Sequence, residues 1–386
     1  MKRIGFIINP IAGMGGKVAL KGTDGKEILQ EAIKRGATPI TIHKAKLFFE
    51  GIIKLSLNEE LEFVLPQGDM GEELLLENQL LATKIHFKIL SQIPIPSVTT
   101  SIDTNHVAKE LKGLKVDLII FVGGDGTAQD IYSAIGSETP ILGIPSGVKI
   151  HSGVFAQSTG KAIEIVNKFT RDQIEFSEAE IIDLDEVAFR KNILNTRLYG
   201  SGLVPQIPSL MQLTKSSTYH TDVEKENIQG IIRTLSKEIS TDILYLLGPG
   251  STIKNVSRVF GEKLYLKKTL LGIDLVHGNE LLKSDVSETD ILCFLDKYPE
   301  AQKKLLITPI GGQGFIFGRG NQQLSPEVIK KIGFSAIQVI ATKSKIINLP
   351  NRILHIDTGD PDLDKQLTGY QKILVDYNEY WMIKVD

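Results

Sequence analysis

The chain reads as an α/β protein in two parts, an N-terminal mostly parallel α/β domain followed by a β-rich C-terminal domain. Three observations predict this. Over the first part, short apolar runs alternate with helical patterns, the signature of a parallel sheet covered on both faces. From about residue 155, strand-like runs follow one another with few helical stretches between them. Glycine-rich turns stand directly after several apolar runs, at the strand ends where such sheets hold ligands. The expected division is 1–155 for a nucleotide-binding domain and 156–386 for a substrate-binding domain, with the last segment able to pack back on the first.

Taken in order, Ile4–Ile8 is a strand, and Asn9 to Asp24 is rich in turn residues. Asp24 and Glu27 have capping-box spacing, which starts a helix that Gly36 ends. An apolar run at Pro39–Ile42 precedes a helical stretch at Ala45–Leu55; Leu61–Leu65 and Ile85–Leu90 are apolar runs on either side of a helix-like Glu72–Leu81. Asp103–Lys112 is helical and leads to Leu118–Val122, whose continuous apolar character suits a strand buried on both faces. Ala128, Ile131, Tyr132 and Ile135 then recur at helical spacing, with Thr127 as N-cap and Gly136 as a left-handed C-cap. Beyond 155, strand-like runs are Glu180–Leu184, Ile243–Leu247, Lys263–Leu266, Leu292–Leu295, Leu305–Ile307 and Ile337–Ala341; Val223–Lys237 and Glu327–Ile332 are helical.

Composition bounds the partners. With 42% hydrophobic and 23% charged residues the chain is an ordinary globular one, and a net charge of −2 lacks the basic excess that nucleic acid or an anionic membrane surface asks for. No apolar stretch reaches membrane-spanning length, and Ile4–Ile8 is too short for a signal-peptide core, so a cytoplasmic location is expected. The single cysteine, Cys293, reads as a core residue. The seven histidines show no metal-ligand spacing, and no Ser/His/Asp hydrolase pattern occurs.

The chemistry concentrates at Val122-Gly123-Gly124-Asp125-Gly126-Thr127, a turn between a buried strand and a helix. Free N–H groups and the positive end of the helix dipole favour an anion there, and glycines let a phosphate chain approach the backbone. Asp125 is the anomaly. A carboxylate facing phosphates is repulsive unless it holds a cation such as Mg²⁺ or takes a proton from an attacking hydroxyl, and both roles belong to phosphoryl transfer. The bland alternative is a tight Asp-Gly turn.

Other turns extend the picture. Asn9 to Lys17 holds Gly13, Gly15 and Gly16, yet a dinucleotide fingerprint needs glycine where Val18 stands, and a P-loop needs Ser or Thr there. Lys17 and Lys21 are either phosphate partners or solvated. Lys149, after the apolar Pro140–Leu142, offers a positive charge for a transferring phosphoryl group. Gly250, Ser251 and Thr252 follow Ile243–Leu247 and read as a ligand-holding or a strand-ending turn. Thr308 to Gln322 carries Gly312, Gly314, the amides Gln313, Asn321 and Gln322, and Arg319, whose planar fork suits phosphate; Phe315 and Phe317 read as core. Asp357-Thr358-Gly359-Asp360-Pro361-Asp362 puts three carboxylates in six residues and reads as an exposed acidic turn or a ligand for a cation or ribose hydroxyls.

Together these motifs resemble the ATP-NAD kinase superfamily, whose hallmark is Gly-Gly-Asp-Gly-Thr, here 123–127, and within it the ATP-NAD kinase or acetoin-catabolism-X-like branch, which the 308–322 segment points to. The resemblance runs from the first strand almost to the C-terminus and implies an NAD-kinase-like fold with a cleft between two domains. It also implies ATP as phosphoryl donor, Mg²⁺, a small-molecule substrate and a homo-oligomer. By analogy Asp125 deprotonates the acceptor hydroxyl with Lys149 nearby, while Gly123, Gly124, Gly126 and Thr127 hold donor phosphates and Asn9 lies near the nucleotide. Gly250, Ser251 and Thr252 look like part of the motif that forms the NAD pocket. The Asn-Glu pair of authentic NAD kinases is missing between the central turn and that motif; Asn279-Glu280 comes later. The expected activity is therefore an ATP-dependent small-molecule kinase with NAD as the leading acceptor, its competitors being a kinase for another sugar or polyol and a non-catalytic nucleotide sensor.

Overall fold

The computed structural model describes residues 1–20, 26–91, 95–96, 98–147, 150–184, 195–212, 222–261, 272–278, 280–310 and 313–386. The helix start expected at Asp24, the strand at Lys263–Leu266, and Lys21, Lys149 and Gly312 lie outside these residues.

Five strands open the fold: β1 Lys2–Ile8, β2 Leu61–Pro66, β3 Phe87–Leu90, β4 Leu118–Gly123 and β5 Ile141–Pro145. All pair in parallel, in the order β3-β2-β1-β4-β5. Chain order runs outward from β1 to β3 and then returns to the other side of β1, so β1 and β4 flank a topological switch point, where helices leave opposite faces and a crevice opens. Ile8 pairs with Val122, which brings Asn9 and Gly123 to the same rim.

Helices α1 Lys26–Lys34, α2 Thr41–Lys54, α3 Glu72–Leu76, α4 Gln79–Lys84, α5 Ser101–Gly113, α6 Asp125–Ile135 and α7 Thr159–Thr170 accompany this sheet. Alternation along β1 shows how both faces are filled. Phe6 meets Phe48 and Phe49 of α2 at ring-centroid distances of 5.3 and 4.7 Å. Gly5, pointing the other way, admits Leu111 of α5 so closely that a Cβ would sit 2.7 Å from its Cδ1. Two long strands, β6 Phe176–Leu184 and β7 Thr196–Pro205, form an antiparallel hairpin against α6.

The C-terminal part is one mixed sheet of β8 Ile243–Leu247, β9 Asp274–His277, β10 Glu280–Lys283, β11 Gln302–Ile307, β12 Phe315–Phe317, β13 Ile337–Ile340, β14 Ile353–Ile356, β15 Gly369–Asp376 and β16 Glu379–Val385. The order among the described residues is β10-β9-β8-β11-β13-β15-β16-β14-β12, and β8, β11, β13 and β15 lie parallel side by side. Helices α8 Asp222–Glu238, α9 Ser251–Val256, α10 Glu288–Lys297, α11 Pro326–Ile332, α12 Lys343–Ile347 and α13 Pro361–Leu367 cover it. Leu244 and Leu246 enter one core while Ile243, Tyr245 and Leu247 enter another, so this sheet is also buried on both faces. Among the described residues no helix is long and apolar enough to cross a membrane.

Several local readings change. Leu292–Leu295 lies on helix α10: Ser287 and Asp290 form a capping box, and Ile291 and Leu295 bury one face at helical spacing, a pattern that a four-residue apolar run hides. Cys293 is therefore exposed rather than core. The apolar run at 39–42 leads into α2, which begins at Thr41, and the stretch 72–81 splits into α3 and α4 at Asn78, whose side chain caps α4. The N-cap of α6 is Gly124, not Thr127, because Asp125 is already helical. Gly136 ends α6 as read from the sequence, with a positive φ of +64°, but its ψ of −146° lies outside the left-handed helical region expected of the cap; Phe315 and Phe317 are buried, as read from the sequence.

Candidate active site

Gly123 ends β4, Gly124 is extended, and Asp125 begins α6, so the turn spans a single residue between strand and helix. Thr127 folds back over it: a Cβ on Gly123 would lie 2.5 Å from Thr127 Oγ1. Asn9, directly after β1, donates from Nδ2 to that same Oγ1 at 2.8 Å, accepts from Ile11 N at 3.2 Å, and donates its main-chain N–H to Val122 O at 3.0 Å. The asparagine thus ties the two strand ends of the switch point together.

Asp125 is 9% exposed, and its carboxylate is held by main chain: His151 N donates to Oδ2 at 2.7 Å and Ser152 N to Oδ1 at 3.0 Å. These two main-chain donors, one to each oxygen, fix the orientation of the carboxylate. The carbonyl of the peptide that supplies the His151 N–H is Ile150 O, which accepts from Gln313 Nε2 at 2.9 Å and Gln212 Nε2 at 3.3 Å. Gln313 belongs to the C-terminal loop after β11. One peptide therefore connects the second domain to Asp125, a link that no motif signals because its ends are 188 residues apart, from 125 to 313.

The loops around this turn are stacked tightly. A Cβ on Gly13, whose φ is +78°, would stand 1.9 Å from Ser146 O, and one on Gly16 would stand 1.6 Å from Gln322 Oε1. Gln322 Nε2 in turn donates to Gly147 O at 3.3 Å, and Gly147 Cα lies 3.3 Å from where a Cβ of Gly124 would be. Close packing of protein on protein is thus the first reason for glycine at 13, 16 and 123. Gly15 accepts at its carbonyl from Leu20 N, closing the loop, and Gly126 is in the first turn of α6.

Across the second sheet, Gly250 caps α9 with φ +105°, Ser251 is exposed and Thr252 is buried. Lys345 Nζ donates to Thr308 Oγ1 at 3.1 Å and to Thr252 Oγ1 at 3.4 Å, and Thr342 Oγ1 donates to Glu224 Oε1 at 3.3 Å. Thr252, Thr308, and Thr342 with Lys345 follow the carboxyl ends of β8, β11 and β13, and Glu224 reaches them from α8. Lys345 was not evident from any motif; only the parallel order of the strands brings it to Thr252.

Arg319 differs from its sequence reading as a phosphate fork. It is 2% exposed, and its guanidinium binds Asp357 at 2.7 Å and Gln157 O at 2.9 Å while lying 4.7 Å from the centroid of Phe315. Asp357 is not in an exposed acidic turn either: it also takes Lys44 Nζ at 2.8 Å, and Lys44 reaches Pro145 O at 2.7 Å. Burial pushes the Lys44 pKa down and Asp357 opposes it; burial raises the Asp357 carboxyl, but its two cations hold it below the ordinary value. Gly314 has φ +75° and packs against Ile353 O.

Two cavities adjoin this buried group. One of about 310 Å³ lies between the 13–17 loop, the start of α2 and the 318–326 segment. The other, about 230 Å³, lies between the start of α7 and α13. Asp357 lines both, and Asp125 lines neither. In the smaller cavity, burial chiefly lifts the Asp364 pKa to about 6, against hydrogen bonds from Thr358.

Comparison with known proteins agrees with this architecture. The model of the ATP-NAD kinase N-terminal domain matches residues 4–174, and that of the ATP-NAD kinase C-terminal domain matches residues 241–385. Among solved structures, "a putative diacylglycerol kinase from Bacillus anthracis str. Sterne" is 16% identical, over 48% of this chain and 45% of that one, with a TM-score of 0.24. An NAD kinase from Archaeoglobus fulgidus in complex with ATP is 17% identical over 40% of this chain and 46% of that one, with a TM-score of 0.18. The matched regions span less than half of either structure, and likeness at these scores carries no argument about activity. No curated protein matches the sequence.

Proposed function

The chain belongs to the ATP-NAD kinase superfamily, and from that premise we propose that it is an ATP-dependent kinase that phosphorylates a hydroxyl of a small molecule, with NAD as the leading acceptor. The observation that carries this is Asp125: a carboxylate at the switch point, at the first residue of a helix, aimed by two main-chain N–H groups. The acceptor oxygen attacks the γ-phosphorus, its proton passes to the Asp125 carboxylate, and the bond to the bridging oxygen breaks to release ADP. Fixing the carboxylate before substrate arrives removes a reorganisation cost from the step. Gly123, Gly124, Gly126 and Thr127 present the helix start to donor phosphates, with Asn9 holding the rim.

Among the described residues no group of three or more His, Cys, Asp and Glu side chains could hold a metal ion. Mg²⁺ commonly binds through one or two carboxylates plus substrate phosphates, so Asp125 is the carboxylate that would share it with the nucleotide, neutralising phosphate charge. A second acceptor class, another sugar or polyol, is favoured by the missing Asn-Glu pair. The test is ADP release from ATP in the presence of NAD and of a panel of sugars and polyols. NADP formation establishes the leading reading, release only with a sugar transfers it to the second, and release with none of them removes the kinase assignment.

A further inference from the structure

His151 N and Ser152 N, the donors that aim Asp125, belong to a stretch that is held from two directions. On one side stand the β6–β7 hairpin and the chain after it. Ser152 Oγ accepts from Ile182 N at 2.9 Å, Gly153 N donates to Glu180 O at 2.8 Å, and Gln212 Nε2 donates to Ile150 O at 3.3 Å and to Ser152 O at 3.4 Å. On the other side stands the C-terminal domain, whose loop after β11 bonds the same strand-end region twice: Gln322 Nε2 donates to Gly147 O at 3.3 Å and Gln313 Nε2 to Ile150 O at 2.9 Å. Of the two amides on Ile150 O, Gln313 makes the shorter bond. Gln313 and Ile150 are both buried, so bulk water does not compete for it.

The loop that delivers Gln313 is braced in turn. Ile310 N donates to Phe315 O at 2.8 Å, Asn321 Nδ2 donates to Ile316 O at 2.8 Å while its Oδ1 accepts from Gly318 N at 3.0 Å, and Arg319 is clamped between Asp357 and Gln157 O. Two consequences follow for Asp125. Ile150 O and the His151 N–H are the two ends of one planar peptide group, so a bond that pins the carbonyl also pins the direction in which the N–H points. Accepting a hydrogen bond at that carbonyl also polarises the group and strengthens the N–H as a donor, by about 10–30% per bond.

We propose that Gln313 is a positioning residue: by pinning the Ile150–His151 peptide it makes the aim of the Asp125 carboxylate depend on the C-terminal domain being seated against the first. What Asp125 then does to an acceptor hydroxyl rests on the kinase reading; how it is aimed does not.

The test uses the full chain with two variants, read by steady-state kinetics and by amide hydrogen exchange at His151. Gln313→Met keeps the length of the side chain and removes its donor. Lys161→Met removes an ion pair between α7 and Asp386, a tie between the domains that involves neither Ile150 nor His151. Gln313→Met should lower kcat about tenfold, the scale of one hydrogen bond, with the KM values for ATP and acceptor within about twofold. Exchange of the His151 N–H should quicken by about the same factor, and Lys161→Met should change neither quantity. If Gln313→Met fails to fold, Gln313→Asn, whose amide stops one methylene short of Ile150 O, carries the same expectations. An unchanged kcat, a fall in kcat without faster exchange at His151, or an equal fall in Lys161→Met overturns the proposal, because the effect then bypasses the peptide or belongs to the domain junction at large. In any of those cases the kinase reading stands as long as the wild type phosphorylates its acceptor. If the wild type phosphorylates none, the kinase reading fails and exchange alone decides the aim: faster exchange at His151 in Gln313→Met supports the positioning role, and unchanged exchange removes it.

Discussion

The turn after β4 and the turn after β8 are built alike and end differently. Each follows a strand with every residue buried, each has a glycine at the helix N-cap, and each opens a helix directly. In the first, Gly124 is extended at φ −121°, a conformation open to any residue, and packs against Gly147. In the second, Gly250 has φ +105°, where a side chain is strained. The first turn presents a carboxylate fixed by two main-chain donors; the second presents threonine hydroxyls to a lysine from a neighbouring strand end. The same strand-to-helix construction therefore gives a carboxylate aimed by main chain in one domain and hydroxyls gathered around a lysine in the other. What differs is which loop the adjacent strand delivers.

The sharpest way to break this contrast is Asp125→Asn. If the first turn carries the chemistry, turnover falls about 10²–10⁴-fold while circular dichroism stays native, and near-normal turnover would remove Asp125 from the mechanism. Next comes the joint that holds the two turns in one molecule. Asp357→Asn leaves Lys44 and Arg319 buried without a carboxylate, and urea unfolding should show a loss of about 3–5 kcal/mol. A loss below about 1 kcal/mol, the scale of an exposed pair, would show that the charges are not sealed from water.

Asp364 probes the same joint through pH. Its folded pKa of about 6 lies above the ordinary 3.8, so between those values the folded state binds more protons than the unfolded one. Stability from this group is full below about pH 4 and is lost as pH rises through about 6. Asp364→Asn, neutral throughout, should gain on the wild type by about 3 kcal/mol at most at pH 8, and the gain should vanish near pH 4. A difference that does not change with pH would refute the assignment. The smallest effect is expected at the second turn: Lys345→Met should raise the acceptor KM about tenfold with kcat little changed, since a charged hydrogen bond that binds without reacting is lost. A fall in kcat instead would move Lys345 into the reacting centre and erase the contrast between the turns.

Much of the first domain was legible because its signals are local. The continuous apolar run of β4, the glycines after it and the helical spacing after those need only a window of about 18 residues to be read. Leu292–Leu295 was misread for the same reason: a four-residue run has no period, and the capping box at Ser287 lay just outside it. The site's supports were illegible on different grounds. Gly16 is glycine because of Gln322, and Asp357 is buried because of Lys44 and Arg319. Such partners are separated by most of the chain, and side-chain type alone does not say whether an aspartate ends in water or between two cations.

The sequence by itself determined where strands turn into helices, that Gly-Gly-Asp-Gly-Thr stands at such a place, and that the chain shares the motifs of one kinase superfamily, because propensity, periodicity and glycine stereochemistry act over a few residues. Tertiary structure alone decided that Asp125 is aimed by the 150–152 main chain, that Gln313 reaches that same peptide from the other domain, and that Arg319 faces inward. The physical reason is that hydrogen bonds and ion pairs are short-ranged in space but indifferent to separation along the chain, so only the closed fold states which groups meet.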